Sequence, residues 1–441
     1  MADRTGEPQR GQDEIALSCL VCRKPQVGDS GGETRYSGGR RVYVCSSCLP
    51  AWKASELWNS SAQRQASSQL RPRPQIPPIQ NPIATTEEVS ADRRPRFELT
   101  APEIRLQLDR WIVGQEAAKV SLSTLAHRHY MRVRHRLSGE DVLASEIPRE
   151  NVLIVGPTGS GKTELVKRIS SILSVPRVIV SASHFTEEGY YGSSVNDVFH
   201  MMKLATGGDG SERWGMIFWD EIDKKAKRET GNRRDVSGLG VQQALLDQLD
   251  VDGRVIDITG NRQGERERVD TTDMMFVLAG AFSDGLDEIV RARVGGRSRI
   301  GFSSGRSDPV GIDEVCDEDI ERYGFIPEFC GRIGHILVLE ELTGEQMRSI
   351  LFDVENAPIP THVRLAEQQG FRLDFSDDAI DCIIERSVKS KMGARKLKSL
   401  VSRATLPIFH DVPNRIGGRK TTPRVTVTAD TVADPSRYRV R

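Results

Sequence analysis

The chain of 441 residues carries equal numbers of acidic and basic side chains, 62 of each. This length predicts two or three domains, because a single hydrophobic core stops growing at roughly 250–300 residues. A net charge of zero gives no support to binding of nucleic acid, an acidic substrate or a membrane surface. The apolar runs are too short to span a bilayer and the N-terminus lacks a signal-peptide core, so the sequence predicts a soluble, cytoplasmic protein without a membrane partner.

Four of the seven cysteines form two close pairs near the N-terminus, Cys19 with Cys22 and Cys45 with Cys48. Two Cys-x-x-Cys pairs are typical of a tetrahedral zinc site with four thiolate ligands. A segment this short cannot build a stable core alone, whereas structural zinc can contribute about 10–16 kcal/mol of folding free energy. Residues 1–59 are therefore predicted to be a zinc-binding module that binds a partner, with two disulfides, a redox pair or a nucleic-acid finger as alternatives.

Composition divides the rest of the chain. Residues 60–97 are rich in Ser, Gln, Pro and Arg, which predicts a disordered linker. Over residues 98–340, short apolar runs alternate with amphipathic stretches, which is typical of an α/β domain with a parallel sheet. Apolar residues at helical spacing then predict a smaller, mainly helical domain over 341–425, followed by a C-terminal tail at 426–441.

The stretch "NVLIVGPTGSGKTELVKRISSIL" (151–173) reads as a strand, a glycine-rich loop and a helix. In such a loop the backbone N–H groups and the helix N-terminus surround the phosphates of ATP. Lys162 then reaches the β- and γ-phosphate oxygens, and the Thr163 hydroxyl ligates Mg²⁺. The predicted nucleotide-binding residues are Gly156, Pro157, Thr158, Gly159, Ser160, Gly161, Lys162, Thr163 and Glu164.

A second apolar strand, "GMIFWDEIDK" (215–224), ends in two acids, Asp220 and Glu221. Asp220 is predicted to hold the Mg²⁺ shell, and Glu221 to polarise the attacking water. Two carboxylates at a strand end after a phosphate loop predict hydrolysis as well as binding. Trp219, directly before the acids, is interpreted only as a core residue.

These two motifs, with the order of the segments that follow, resemble the AAA+ family over the cysteine module and nearly all of residues 98–415. The resemblance implies a homo-hexameric ATPase with a large parallel-sheet domain and a smaller helical domain. "WIVGQEAAK" (111–119) resembles the adenine-contacting segment, with Ile112 and Val113 as base-pocket residues, although both also fit an ordinary core. "IPEFCGRIG" (326–334) implies that Arg332 is an arginine finger for a neighbouring subunit, and "KSKMGARKLKSLV" (389–401) implies that Arg395 contacts the γ-phosphate.

Two glycine-flanked segments resemble binding loops of the family. "TEEGYYGSSV" (186–195) resembles the first pore loop, which implies that Tyr190 and Tyr191 grip a threaded polypeptide; packing of a tyrosine against its own domain is the alternative. "RSRIGFSSG" (297–305) resembles the loop that docks onto a ClpP-type peptidase, through Ile300, Gly301 and Phe302. Such a triplet is either an exposed anchor or a buried turn.

Two features of the sequence depart from the family pattern. Between Gly253 and Asp270 the chain lacks an Arg-Lys-His triplet, but Arg262, Arg266 and Arg268 keep the segment basic, so substrate preference stays open. The strand "MMFVLAGAF" (274–282) offers no obvious polar sensor of the γ-phosphate.

Three functions are compatible with these features. The leading hypothesis is an ATP-dependent unfoldase that threads unfolded or tagged proteins through a pore into a ClpP-type peptidase, with a possible adaptor on the zinc module. A peptidase-independent remodelling chaperone is the second. A zinc-dependent nucleic-acid scaffold with a nucleotide switch is the third, and zero net charge disfavours it.

Overall fold

The computed structural model describes residues 33–37, 40–44, 95–185, 194–208, 210–227, 236–250, 252–259, 266–297, 315–390, 392–416 and 422–440. The chain divides into two compact units, Met1–Gln80 and Asn81–Arg441. In the first unit, strands β1 (Glu33–Ser37) and β2 (Arg40–Val44) pair antiparallel. Both strands lie between the two cysteine pairs in the sequence, and β2 ends at the residue before Cys45.

The first three helices among the described residues of the second unit are α1 (Ala101–Leu108), α2 (Glu116–Leu137) and α3 (Asp141–Glu146). The start of α1 is set locally, because the N–H of Thr100 donates to the carboxylate of Glu103 at 2.8 Å. Ile104 and Leu108 of α1 are fully buried in a hydrophobic cluster that also contains residues of α2.

The described residues of the large domain contain seven further strands and six further α-helices. The strands are β3 (Val152–Val155), β4 (Arg177–Ser181), β5 (Met216–Asp220), β6 (Val255–Thr259), β7 (Arg266–Asp270), β8 (Met275–Gly280) and β9 (His335–Val338). The helices are α4 (Lys162–Ile172), α5 (Asp197–Thr206), α6 (Val236–Gln248), α7 (Leu286–Arg297), α8 (Asp317–Tyr323) and α9 (Pro327–Cys330). Five of the strands form a parallel sheet in the order β4-β5-β8-β3-β9, while β6 and β7 form a separate antiparallel hairpin.

The parallel sheet is covered on both faces. Every residue of β3 and β8 is buried, as expected of central parallel strands. In β5, Ile217 and Trp219 belong to one hydrophobic cluster, and Met216 and Phe218 belong to another, because successive side chains of a strand point to opposite faces. The ring of Trp219 is fully buried with its centroid 4.8 Å from that of Phe185, which confirms its core role.

The strand order brings the phosphate loop and the two acids to the same edge of the sheet. The loop follows β3 and the acids end β5, and β8 lies between these two strands. The N–H of Gly156 donates to the carbonyl of Gly280 at 3.3 Å, at the end of β8. Ligands of open α/β sheets bind at this carboxyl edge.

A third hydrophobic cluster belongs to the small domain. Its elements are α10 (Gly344–Phe352), α11 (Pro358–Gln368), β10 (Arg372–Phe375), α12 (Asp377–Lys389), α13 (Gly393–Ile416), β11 (Arg424–Val427), α14 (Ala429–Ala433) and β12 (Arg439–Val440). Leu342 is the first residue of this cluster along the chain, whereas Leu339 still packs in the large domain. The parallel-sheet domain and the mainly helical second domain are thus confirmed.

The segment 426–441, for which the sequence predicts a tail, holds part of this small domain. Strand β11 pairs parallel with β10 and antiparallel with β12. Val427 and Val432 are buried in the cluster, so apolar burial holds the described part of this segment against the helices. No helix in the described ranges is long and apolar enough to cross a membrane.

Candidate functional site

A cavity of about 390 Å³ opens at the carboxyl edge of the sheet. The large domain lines it with the segment before α2, the phosphate loop and the residues after β5 and β8. The small domain lines it with residues of α10, the segment after α10 and the start of α13. The described lining residues are Trp111, Ile112, Val113, Thr158, Gly159, Ser160, Gly161, Lys162, Thr163, Glu164, Arg168, Asp220, Glu221, Asp223, Lys224, Ala281, Ser283, Leu342, Ile350, Val354, Glu355, Asn356, Ala394, Arg395 and Lys398.

The phosphate loop places a buried ammonium group at the N-terminus of α4. Gly161, with φ of 109°, is the N-cap of this helix, and a left-handed backbone there favours glycine. Lys162 is only 8% exposed, and its Nζ donates to the carbonyls of Gly156 at 2.6 Å and Pro157 at 3.0 Å. Burial lowers the pKa of Lys162, and the nearby carboxylate of Asp220 opposes that shift. The loop therefore presents a cation and free helix amides to an entering anion.

The next residue of the loop meets the first acid. The Thr163 hydroxyl donates to Asp220 Oδ2 at 2.8 Å, so two hard oxygen ligands lie side by side. Among the described residues, no group of three or more His, Cys, Asp or Glu side chains could hold a metal ion. Mg²⁺ commonly takes one or two protein oxygens and completes its shell with water and substrate phosphates, so Thr163 and Asp220 fit a Mg²⁺-nucleotide.

Glu221 is held by two hydroxyl groups that sequence reasoning missed. Its Oε2 accepts hydrogen bonds from Ser181 Oγ at 2.6 Å and Ser183 Oγ at 3.0 Å. The Ser181 bond, reinforced by Ser183, lowers the pKa of Glu221 against the opposing effect of burial. The backbone of Glu221 has φ of 58°, a region that non-glycine residues occupy at a cost of roughly 1–3 kcal/mol. A strained, ionised and oriented carboxylate is suited to positioning a water molecule.

Asp223 is a third acid that the sequence did not single out. It is 1% exposed, and its Oδ1 accepts from the N–H of Ala281 at 3.3 Å. Lys224 Nζ lies 3.4 Å from Asp223 Oδ2. Asp223 thus ties the turn after β5 to the turn after β8, next to the cavity.

The segment that is predicted to contact the adenine base forms an apolar wall of the cavity. Ile112 is 7% exposed and lines the cavity together with Val113, so Ile112 both packs in the core and faces the cavity. Trp111 also lines it, and the guanidinium of Arg168 lies 3.6 Å from the centroid of the Trp111 ring. Arg168 is paired with Glu164 at 2.6 Å. The contact of Trp111 with Arg168 was not predicted, because the two residues meet only in the folded chain. The pair Glu164 and Arg168 could have been predicted from its helical i,i+4 spacing.

The small domain contacts the phosphate loop directly. The N–H of Ala394 donates to the carbonyl of Gly159 at 3.1 Å. A Cβ atom on Gly159 would lie 2.0 Å from the carbonyl oxygen of Met392, so only glycine fits this approach. Arg395 follows Ala394 and lines the cavity. Its contact with the γ-phosphate stays a prediction.

Arg332, the predicted arginine finger, lies near the end of α6. Its guanidinium donates to the carbonyl of Leu246, near the end of α6, and lies 3.7 Å from the carboxylate of Asp250. Asn151 fixes the Arg332 backbone by donating to its carbonyl at 2.8 Å. Arg332 is not one of the described residues that line the cavity of its own chain. The predicted action on a neighbouring subunit stays a prediction.

Several predicted site residues lie outside the described residues. They are Cys19, Cys22, Cys45 and Cys48, the pair Tyr190 and Tyr191, and Ile300, Gly301 and Phe302. Of the three basic residues in the β6–β7 segment, Arg262 also lies outside, whereas Arg268 is exposed and pairs with Asp257 at 3.3 Å.

Two family models match this chain. Residues 147–336 match the model described as AAA domain (Cdc48 subfamily). Residues 342–411 match the model described as C-terminal, D2-small domain, of ClpB protein. Residues 337–341 lie between the two matches, and it is within this stretch and at Leu342 that the large-domain cluster gives way to the small-domain cluster.

Proposed function

Because residues 147–336 and 342–411 form an AAA+ ATPase module of the Clp/Hsp100 type, we propose that this chain is a ClpX-type protein unfoldase. In this proposal a homo-hexamer hydrolyses ATP, pulls tagged or unfolded proteins through its central pore and passes them to a ClpP-type peptidase. The observation that carries the proposal is that the ATP cavity is lined from both domains, with Ala394 bonded to Gly159. Any change at the phosphates is then felt by both domains, which can convert hydrolysis into motion.

The hydrolytic step of this proposal uses groups that line the cavity. Lys162 and the amides at the start of α4 bind the β- and γ-phosphates of ATP. Thr163 and Asp220 would hold Mg²⁺, which when bound would supply neutralisation of charge on the phosphate oxygens. Glu221 orients the attacking water and polarises its O–H bond, while Ser181 keeps the carboxylate ionised and aimed. Arg395 stabilises the charge that develops on the γ-phosphate from the same chain.

The hexamer supplies the remaining cation. Arg332 of each subunit is proposed to reach the γ-phosphate bound by its neighbour. An arginine provided in this way accelerates phosphoryl transfer by about 10³–10⁵-fold. Its position outside its own cavity supports this role, because an arginine used within the chain would lie beside Lys162. Hydrolysis then depends on assembly.

The pulling element is proposed to be the segment with Tyr190 and Tyr191. It follows β4 closely in the chain, and β4 ends at Ser181, which holds Glu221. The end of β4 thus contacts Glu221, which is proposed to activate water, and is followed closely in the chain by the two tyrosines. Aromatic rings contact many kinds of side chain, which suits a grip without sequence preference. Ile300, Gly301 and Phe302 are proposed to anchor the peptidase, where six weak contacts combine by effective concentration.

Zinc is proposed for the N-terminal module, with Cys19, Cys22, Cys45 and Cys48 as ligands. The β1–β2 hairpin supports this, because it folds the chain back between the two cysteine pairs. Cys45→Ser should reduce the zinc content from about one ion per chain to none, measured by atomic emission on the purified full chain. A serine variant that retains stoichiometric zinc would rule out the four-thiolate site.

The unfoldase proposal is tested with purified chain, Mg-ATP, a ClpP-type peptidase and a tagged fluorescent protein. Tyr190→Ala should retain ATP hydrolysis and lose unfolding, seen as persistent fluorescence. Phe302→Ala should retain unfolding and lose degradation, seen as intact substrate on a gel. Normal degradation by Phe302→Ala would reject the docking loop, and unfolding without any peptidase response in the wild type would favour the remodelling chaperone.

A further inference from the structure

The segment that joins the two domains is clamped by one side chain of the large domain. Glu340 lies between Leu339, in the large-domain cluster, and Leu342, in the small-domain cluster. Gln115 Nε2 donates to the carbonyl of Glu340 at 2.9 Å, and the N–H of Glu340 donates to Gln115 Oε1 at 2.9 Å. Gln115 is 6% exposed. Its amide therefore pairs with both backbone groups of one residue, in the manner of a neighbouring strand.

Gln115 also continues the segment that lines the base side of the cavity. Gly114 and Gln115 have φ of 67° and 58°, so the chain turns sharply between Val113 and the start of α2. A left-handed glutamine is unusual, and the two bonds to Glu340 give a physical reason for it. A displacement of Ile112 or Val113 is therefore transmitted to Gln115 over two or three residues.

Two further contacts join the same segment to the small domain. A Cβ on Gly114 would lie 2.4 Å from Gln346 Nε2, and Gln346 also caps α10 by accepting from the N–H of Thr343 at 2.9 Å. The N–H of Glu355 donates to the carbonyl of Arg110 at 2.8 Å. Residues 110–115 thus contact the small-domain side at three places: the joining segment at Glu340, the start of α10, and the segment after α10.

We propose that Gln115 is a positioning residue that couples occupation of the base pocket to the orientation of the small domain. Two hydrogen bonds in opposite senses fix both the position and the rotation of the Glu340 backbone. The segment that joins the two domains therefore moves together with the base-contacting segment. The small domain carries Arg395 and the Ala394 contact with Gly159, so its orientation decides whether the phosphate end of the cavity is complete. The proposal rests on the proposed placement of the base against Ile112 and Val113.

The test compares two substrates that differ only in the base, ATP and ribose 5′-triphosphate, on the full-length chain. The wild type should turn over ATP with the higher kcat. Gln115→Leu removes the side-chain partners of both the N–H and the carbonyl of Glu340, and should lower kcat for ATP by about tenfold. The same variant should change kcat for ribose 5′-triphosphate by less than about twofold, because no base is present to be coupled.

The control is Gln368→Leu, the same substitution at an exposed position at the end of α11, which should change neither rate. An equal fold-loss on both substrates with Gln115→Leu, or no loss on either, overturns the coupling role. A wild type that turns over both substrates equally well overturns the placement of the base instead.

A near-isosteric variant keeps the test valid if Gln115→Leu does not fold. In Gln115→Glu the carboxylate still accepts from the N–H of Glu340 but faces its carbonyl without a proton. The ATP-specific loss should be present at neutral pH and recover relative to wild type as the pH falls, because a protonated carboxyl restores the donor. A loss that is independent of pH, or equal for both substrates, contradicts the clamp.

Discussion

Gly159→Ala probes the contact on which the two-domain cavity depends. Gly159 has φ of 81°, and a Cβ atom there would lie 2.0 Å from the carbonyl oxygen and 2.7 Å from the carbonyl carbon of Met392. Both atoms belong to the backbone of the residue directly before α13, so no side-chain rotation relieves the overlap. The hydrogen bond from Ala394 to Gly159 at 3.1 Å would have to open as the helix withdraws.

The size of the effect follows from that overlap. Nonbonded carbon and oxygen atoms require a separation of about 3 Å or more, so the phosphate loop and α13 must separate by roughly 1 Å or more. Arg395 moves with α13. Since a misplacement of about 1 Å in a catalytic group can reduce turnover about 100-fold, we expect a loss of kcat of about that size. A loss of this size corresponds to about 2.7 kcal/mol of transition-state stabilisation.

Steady-state ATP hydrolysis and thermal unfolding separate this effect from backbone strain. Gly139→Ala is the matched control, because Gly139 has φ of 77° and no described atom lies within 4 Å of the point that its Cβ would occupy. Both variants should lose about 1–2 kcal/mol of stability from the left-handed backbone. Only Gly159→Ala should lose turnover. A Gly159→Ala enzyme with kcat within about twofold of wild type would refute the claim that the small domain must contact the phosphate loop.

Three further substitutions test other parts of the site and fold. Glu221→Gln should bind ATP normally but lower kcat by about 10²–10⁴-fold, measured by equilibrium binding of a fluorescent ATP analogue and by phosphate release; unchanged turnover would remove Glu221 from catalysis. Ser181→Ala removes the donor that lowers the pKa of Glu221, so the acid limb of the kcat–pH profile should move to higher pH, and a shift to lower pH or none would contradict the assigned cause. Val427→Ala should destabilise the small domain by about 1.5–3 kcal/mol in urea unfolding, whereas a neutral effect would place β11 outside its core.

The phosphate end of the site was accessible from sequence because its residues are contiguous. Glycines at fixed spacing before Lys162 and Thr163 are typical of a phosphate-binding loop. Asp220 is likewise recognised from its neighbours in the chain, because it stands at the end of an apolar strand. The closeness of these motifs in space was also predictable, because parallel strands end at a common edge. The 2.8 Å contact of Thr163 with Asp220 agrees with that rule.

The side chains that hold these residues in place could not be predicted from the sequence. Ser181 and Ser183 belong to an ordinary-looking strand end, and only the pairing of β4 with β5 brings them to Glu221. Trp111 and Arg168 gave no paired signal, because cation–π contacts have no sequence spacing of their own between separate elements. The sequence predicted a tail where β11 lies, because a strand of four residues is too short to give a clear pattern of its own. It is recognised chiefly by its pairing with β10.

The sequence by itself predicted which residues would meet phosphate and which acids would follow, and it determined which segments alternate as strands and helices. These are properties of neighbouring residues, set by glycine conformations, side-chain type and periodicity. Only the tertiary structure decided how the two domains share the cavity, through Gly159 with Ala394 and Gln115 with Glu340. Each of these pairs joins residues more than 200 positions apart, and such contacts are selected by the packing of whole domains, which no local pattern encodes.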